Sequence, residues 1–183
     1  LVIPSVSSER REYIPIGYVG SDTIITNLAF VIYNSKPHNL GIITSRMHMT
    51  WMRAVAGRLK SDYRYSSTLV YNTFPFPPIS TQRKNEITQA TFRILEEREK
   101  HPEKTLAQLY DPDKMPEGLR EAHRQNDEII EKCYRSTPFK SDEERLEYLF
   151  KLYEKMIAEE KEQGTLFAKE KKTRKKKNKQ KQE

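Results

Sequence analysis

Three prolines in five residues, FPFPP at 74–78, divide this chain more firmly than any other feature. Proline has no backbone N–H to donate and disfavours the helical region for the residue before it, so neither a helix nor an inner strand runs through such a stretch. A boundary is expected near residue 79, and the patterns on its two sides differ. Before it lie short apolar runs bounded by turn residues, read as strands at 13–19, 24–26, 28–33 and 68–71. A further run at 40–43 leads into Thr44 and Ser45, a natural N-cap for a helix over 46–60. Beyond the boundary the apolar period is helical. One helix carries Ile87, Phe92, Ile94 and Leu95 to about residue 100, and a short one carries Leu106, Leu109 and Tyr110 before Asp111-Pro112-Asp113 stops it. Pro116 suits a first helical position before Leu119, Ala122, Ile129, Ile130 and Cys133. Ser141 and Glu144 form a capping box opening a helix through Ile157. The fold class expected is α+β: a small mixed unit over 1–79, an all-α unit over 80–163, and a disordered basic tail over 164–183.

Charge is unevenly spread. The net +7 combines 10 Lys/Arg against 4 Asp/Glu in residues 1–85, 14 against 20 in residues 86–168, and 9 against 2 in residues 169–183. The first block suits an anionic partner, the second does not, and the last is too polar to fold alone. One cysteine, Cys133, excludes an internal disulfide framework and fits a reducing compartment, here the cytoplasm. The scattered His38, His48, His101 and His123 have no zinc-site spacing. No apolar run approaches the ~18 residues of a membrane span, and no signal peptide is visible. With Leu1 as its first residue, the chain reads as a piece of a larger protein.

The segment 45–77 is the richest in candidate contacts. Arg46, Arg53 and Lys60 recur every seven residues, which on a helix over 46–60 lines them along one side, with Met47, Trp51, Met52, Val55 and Leu59 on the other. Such a row is either the wet face of a core helix or a set of phosphate contacts. Arg10 and Arg11 have the same two readings: an exposed loop paired with its own glutamates, or a bidentate grip on phosphate. In the run KSDYRYS at 60–66, Lys60 offers a donor for guanine and Asp62 an acceptor for cytosine N4, together enough to address one G·C pair. Tyr63 and Tyr65 are core residues by default.

Catalytic constellations are missing. There is no glycine-rich phosphate loop and no nucleophile elbow. Asp111, Asp113, Glu159 and Lys161 stretch into a nuclease-like set, but a turn and a solvated helix face explain them better. His123 and Asp127, four apart on a helix, read as a structural pair. Asn72 is not followed by the consecutive prolines of an amino-methyltransferase motif.

Several motifs in order resemble one family. SSERREYIPIG at 7–17, MHM at 47–49, GRLKSDYRYS at 57–66, YNTFPFP at 71–77 and TLAQLYDP at 105–112, with Met115-Pro116, His123 and Asp127, are similar to the C-terminal part of the MmeI-like bacterial DNA methyltransferases, the type IIG/IIL restriction-modification enzymes that methylate adenine N6. The resemblance covers roughly residues 3–157. It implies that 1–79 is the latter part of a DNA target recognition domain and 80–163 the helical C-terminal domain. It implies no cofactor in this chain, with S-adenosylmethionine bound in the parent protein, and as partners double-stranded DNA and a catalytic methyltransferase domain of the same parent. It places base reading at Lys60, Asp62 and nearby Arg64, with a second reading position near Asn27. The residues themselves add Arg10, Arg11, Arg46 and Arg53 as expected phosphate contacts. The Lys-rich tail is not part of the family pattern. Rival readings are a helical protein-interaction module with a small β cap, an RNA-binding fragment driven by the tail, and a complete small enzyme.

Overall fold

The computed structural model describes residues 1–179, with side chains through Glu162. The expectation of a disordered tail over 164–183 lies outside the residues described in full. The N-terminal part contributes β1 (Val2–Pro4), β2 (Val6–Ser7) and β3 (Ala29–Val31). Helices α1 (Pro37–Ile43) and α2 (Arg46–Val55) follow, then β4 (Gly57–Leu59), β5 (Asp62–Arg64) and a π-helical turn over Ser67–Tyr71. After the proline stretch come α3 (Thr81–Glu99), α4 (Leu106–Leu109), α5 (Glu117–Tyr134) and α6 (Asp142–Lys179). Strands β1 and β3 pair antiparallel as one small sheet, and β2, β5 and β4 form a second in that order.

The helices beyond residue 80 follow the apolar period closely, and the first half departs from it. The run at 40–43 is the end of α1, which Pro37 opens at its first turn. Helix α2 stops at Val55 instead of continuing to residue 60. Ala56 is extended, and Gly57, a poor helix former, begins β4. The run at 68–71 is the π-helical turn, with the Ser66 hydroxyl accepting from Leu69 N–H. Of the run at 13–19, Tyr13, Ile14, Ile16 and Gly17 are buried and Tyr18 and Val19 exposed; its one β-bridge joins Gly17 to Val2, and residues 24–26 form no strand.

Helix α2 sits at the centre. Met47, His48, Met49, Thr50, Trp51 and Met52 are all buried, so this helix is surrounded on nearly every side rather than split into a wet and a dry face. Helix α1 lies against α3, α3 against α5, and α2 against α6. At Gly41 the approach is close: an added Cβ would stand 2.6 Å from Thr91 Oγ1 and 2.7 Å from Ile87 Cγ2. One apolar cluster runs from Ile3 and Ile16 through Met47 and Trp51 to Ile87, Leu119, Ile130 and Leu149. The proline stretch therefore separates two kinds of local structure that share one core.

A candidate nucleic-acid interface

Two residues, Lys60 and Ser61, turn the chain between β4 and β5. The ladder pairs Leu59 with Asp62, Arg58 with Tyr63 and Gly57 with Arg64, and β2 adds Ser7 beside Tyr63 and Val6 beside Arg64. Side chains alternate along a strand, so Tyr63 and Tyr65 share one face and Asp62 and Arg64 the other. Tyr63 and Tyr65 are buried, and the Tyr65 hydroxyl meets His48 Nε2 at 2.9 Å. Burial pushes His48 down to about 3, so this histidine stays neutral and anchors the hairpin base to α2. The opposite face carries Asp62 half-buried and Arg64 exposed, with Lys60 and Ser61 exposed at the tip.

Lys60 is therefore a turn residue, not the end of the helical row. Its φ of 57° lies in the left-handed region, where a side chain costs roughly 1–2 kcal/mol relative to the right-handed form. Lys60, Asp62 and Arg64 come together on one exposed hairpin, and among the described residues none has a side-chain hydrogen bond or ion pair with the rest of the protein. Asn27 sits in an exposed loop before β3. One residue ties that loop to the hairpin: Ser5 donates its N–H to Leu28 O at 2.9 Å and accepts from Tyr65 N–H at 2.9 Å.

The four expected phosphate-binding arginines divide. Arg10 donates through Nη2 to both carboxylate oxygens of Asp113, at 3.0 and 2.8 Å, and both side chains are about two-thirds exposed. A pair so wet adds little stability and exchanges readily for another anion. Arg11 reaches Ala107 O at 3.3 Å and is half-buried. Arg46 and Arg53 turn toward protein instead. Arg46 Nε donates to Asp142 Oδ1 at 2.7 Å, Arg53 Nη1 lies 3.6 Å from Asp142 Oδ2, and Arg53 Nη2 donates to Glu12 O at 3.1 Å. Asp142, at the start of α6, also pairs with Arg145. Burial raises its carboxyl, but the Arg46 hydrogen bond and the charges of Arg46, Arg145 and Arg53 outweigh that and hold it below its ordinary value. The row on α2 thus fastens α2 to α6, and in this structure Arg46 and Arg53 are both engaged by protein partners.

Beneath the arginines lies a buried polar cluster. Asp127 accepts from Arg46 N–H through Oδ1 and from the Tyr13 hydroxyl through Oδ2, each at 2.7 Å, so it closes the N-terminus of α2 from α5. Burial is the main cause that pushes its carboxyl up to about 7. Tyr13 stacks on His123 at 4.2 Å, and His123 Nε2 meets the Tyr110 hydroxyl at 2.6 Å. Arg98 Nε donates to the same hydroxyl at 2.9 Å and its Nη1 to Ile16 O at 2.9 Å. These groups span the boundary near residue 79. Asp111 and Asp113 form a turn, with Asp113 N–H donating to Asp111 Oδ1 at 3.0 Å. No set of three or more metal-ligating side chains gathers among the described residues. No helix among them is long and apolar enough to cross a membrane.

Comparison with known proteins matches residues 1–78 to the family described as "MmeI, target recognition domain" and residues 79–159 to "MmeI, C-terminal domain". A relative named DNA methyltransferase A, from Bacillus subtilis (strain 168), is 58% identical over 156 residues, covering 85% of this chain and 18% of its own length. A solved structure of the type IIL restriction-modification enzyme MmeI in complex with DNA superposes with a TM-score of 0.83 at 41% identity, covering 86% of this chain and 21% of that one. The chain thus spans about a fifth of the length of these relatives.

Proposed function

This chain belongs to the MmeI family, with the family's target recognition domain followed by its C-terminal domain, and from that premise we propose that it grips duplex DNA and reads part of its sequence on behalf of a DNA-methylating enzyme. The observation that carries the reading is the hairpin: Lys60, Asp62 and Arg64 stand together on an exposed ribbon without side-chain partners among the described residues. A two-stranded ribbon fits the major groove, where Lys60 donates to guanine O6 and N7 and Asp62 accepts from cytosine N4. Arg64, on the same face as Asp62, and Asn27, on the loop that Ser5 ties to the hairpin, extend the contact. Arg10 supplies a phosphate contact by exchanging Asp113 for the backbone of the duplex, with Arg11 beside it; such contacts set register without reading bases.

Within the whole protein the catalytic step falls to a separate domain that binds S-adenosylmethionine and methylates adenine N6, after this module has positioned the duplex for base flipping. The place of action is the bacterial cytoplasm. The rival helical interaction module is less well supported, because α3, α5 and the part of α6 through Glu162 turn most of their apolar residues into the core shared with α1 and α2.

Binding to duplexes that vary one base pair at a time tests the reading. Lys60→Ala is expected to cost about 1–3 kcal/mol on the preferred sequence and to relax one position. Arg10→Ala is expected to weaken all sequences alike and to lower the slope of log affinity against log salt by about 1. A Lys60→Ala protein with an unchanged sequence preference refutes the base-reading assignment.

A further inference from the structure

We propose that Arg58 is a positioning residue: it clamps the turn that presents Lys60 and so fixes where the hairpin's reading groups stand. The inference rests on the DNA-reading function above. The turn needs such a clamp. It has two residues, neither of them glycine, and Lys60 is held at φ 57°. Left alone, an L-residue with a flexible four-carbon side chain drifts out of that region. Arg58, the residue before Leu59 on β4, reaches across the loop. Its Nη1 donates to Ser61 O at 2.8 Å, which satisfies a carbonyl of the turn itself. The same nitrogen lies 3.3 Å from Glu9 Oε2, two residues beyond β2. The guanidinium carbon stands 3.9 Å from the centre of the Tyr63 ring, directly across the ladder.

Tyr63 is buried and flanked by β2 and β4, so it is a fixed platform. A planar cation laid on that ring, with one edge on the turn carbonyl and on a carboxylate from the neighbouring strand end, ties three segments together. Arginine does this and lysine does not, because an ammonium has no plane to stack and no fork of donors. The guanidinium is thereby committed within the protein, whereas Lys60 beyond it points a free amine outward. Arg58 acts through Lys60 and Asp62, and no direct contact with DNA is required of it.

The experiment uses the full chain with Arg58→Ala, Arg58→Lys and Glu9→Gln; the last retains the ring stack and the turn hydrogen bond and serves where an Arg58 variant folds poorly. Nuclear magnetic resonance without DNA reads the strong intraresidue amide-to-α-proton contact that marks a left-handed Lys60. Binding to duplexes varied at single base pairs, over a range of salt, reads discrimination and charge contacts separately. Expected is loss of the left-handed signature in both Arg58 variants, with partial loss in Glu9→Gln. Alongside it, preference at the one position read by Lys60 falls about tenfold, with the salt slope unchanged. A Lys60 signature that survives Arg58→Ala overturns the proposal. So does a salt slope lowered by about 1 that Arg58→Lys restores, which makes Arg58 a phosphate contact. A signature lost from a protein that never discriminated base pairs keeps the clamp but overturns its role in reading, and with it the function proposed above.

Discussion

At the scale of single residues, position in the backbone decides what each charge is free to do. Lys60 and Arg53 are both long cations from the same expected row, but one stands at a hairpin tip and the other reaches Asp142 and the carbonyl of Glu12. The left-handed backbone at Lys60 has a measurable consequence. Lys60→Gly is expected to raise stability by roughly 0.5 kcal/mol in urea unfolding, since glycine takes that conformation freely, while relaxing the preference at the one position assigned to Lys60. Stability and recognition then move in opposite directions at one residue. Asp127 gives a second test. Its carboxyl is raised from 3.8 to about 7 in the fold, so the folded chain holds this proton more tightly than the unfolded one. Its contribution is greatest below pH 3.8 and declines as pH climbs toward 7, the reverse of Asp142, whose contribution fades as pH falls. Asp127→Asn keeps an acceptor for Arg46 N–H, and is expected to flatten the dependence of melting temperature on pH between about 4 and 7.

Among elements, the second half of the chain was readable because its helices obey a single period, begin at recognisable caps and end at proline or polar breaks. Ser80, Thr105 and Ser141 each accept from a backbone N–H in the first turn of the helix they open. The first half was less so, for a physical reason. Its elements are two to ten residues long, and tertiary contact rather than local preference sets their ends. Gly57 is a weak signal for stopping α2, yet it moves Lys60 from a helix face to a turn and brings Arg58, unnoticed within a supposed helix, over Tyr63. The partners of the α2 arginines were out of reach as well, since Asp142 lies 96 residues from Arg46 along the chain. The grouping of Lys60 and Asp62 was legible in the run at 60–66, because a turning backbone keeps them close, while Arg64 joined them only through the family resemblance. Asp142→Ala is expected to lower stability by about 2 kcal/mol and to loosen α6 from α2, seen as faster amide exchange in α2.

For the whole molecule, the two family domains meet in a single core rather than across a seam. Trp51 of α2 packs on Phe150 and Tyr153 of α6, and Arg98 of α3 reaches Ile16 O. Residues 1–79 made alone, and 80–162 made alone, are each expected to lack a cooperative unfolding transition, while 1–162 retains one; calorimetry distinguishes these outcomes. The helical part, with more acidic than basic residues, fixes the helix beneath the hairpin through Asp142 and the packing of α6 on α2. Ser5 bears on the geometry of the complex in another way. Its N–H and carbonyl hold the Asn27 loop on one side and the β5 ribbon on the other, like adjacent marks on a ruler. One residue of extended chain advances by about 3.3 Å, close to the 3.4 Å rise from one base pair to the next along a strand. Inserting a single amino acid at this joint is expected to displace the Asn27 loop relative to the ribbon by about one such step.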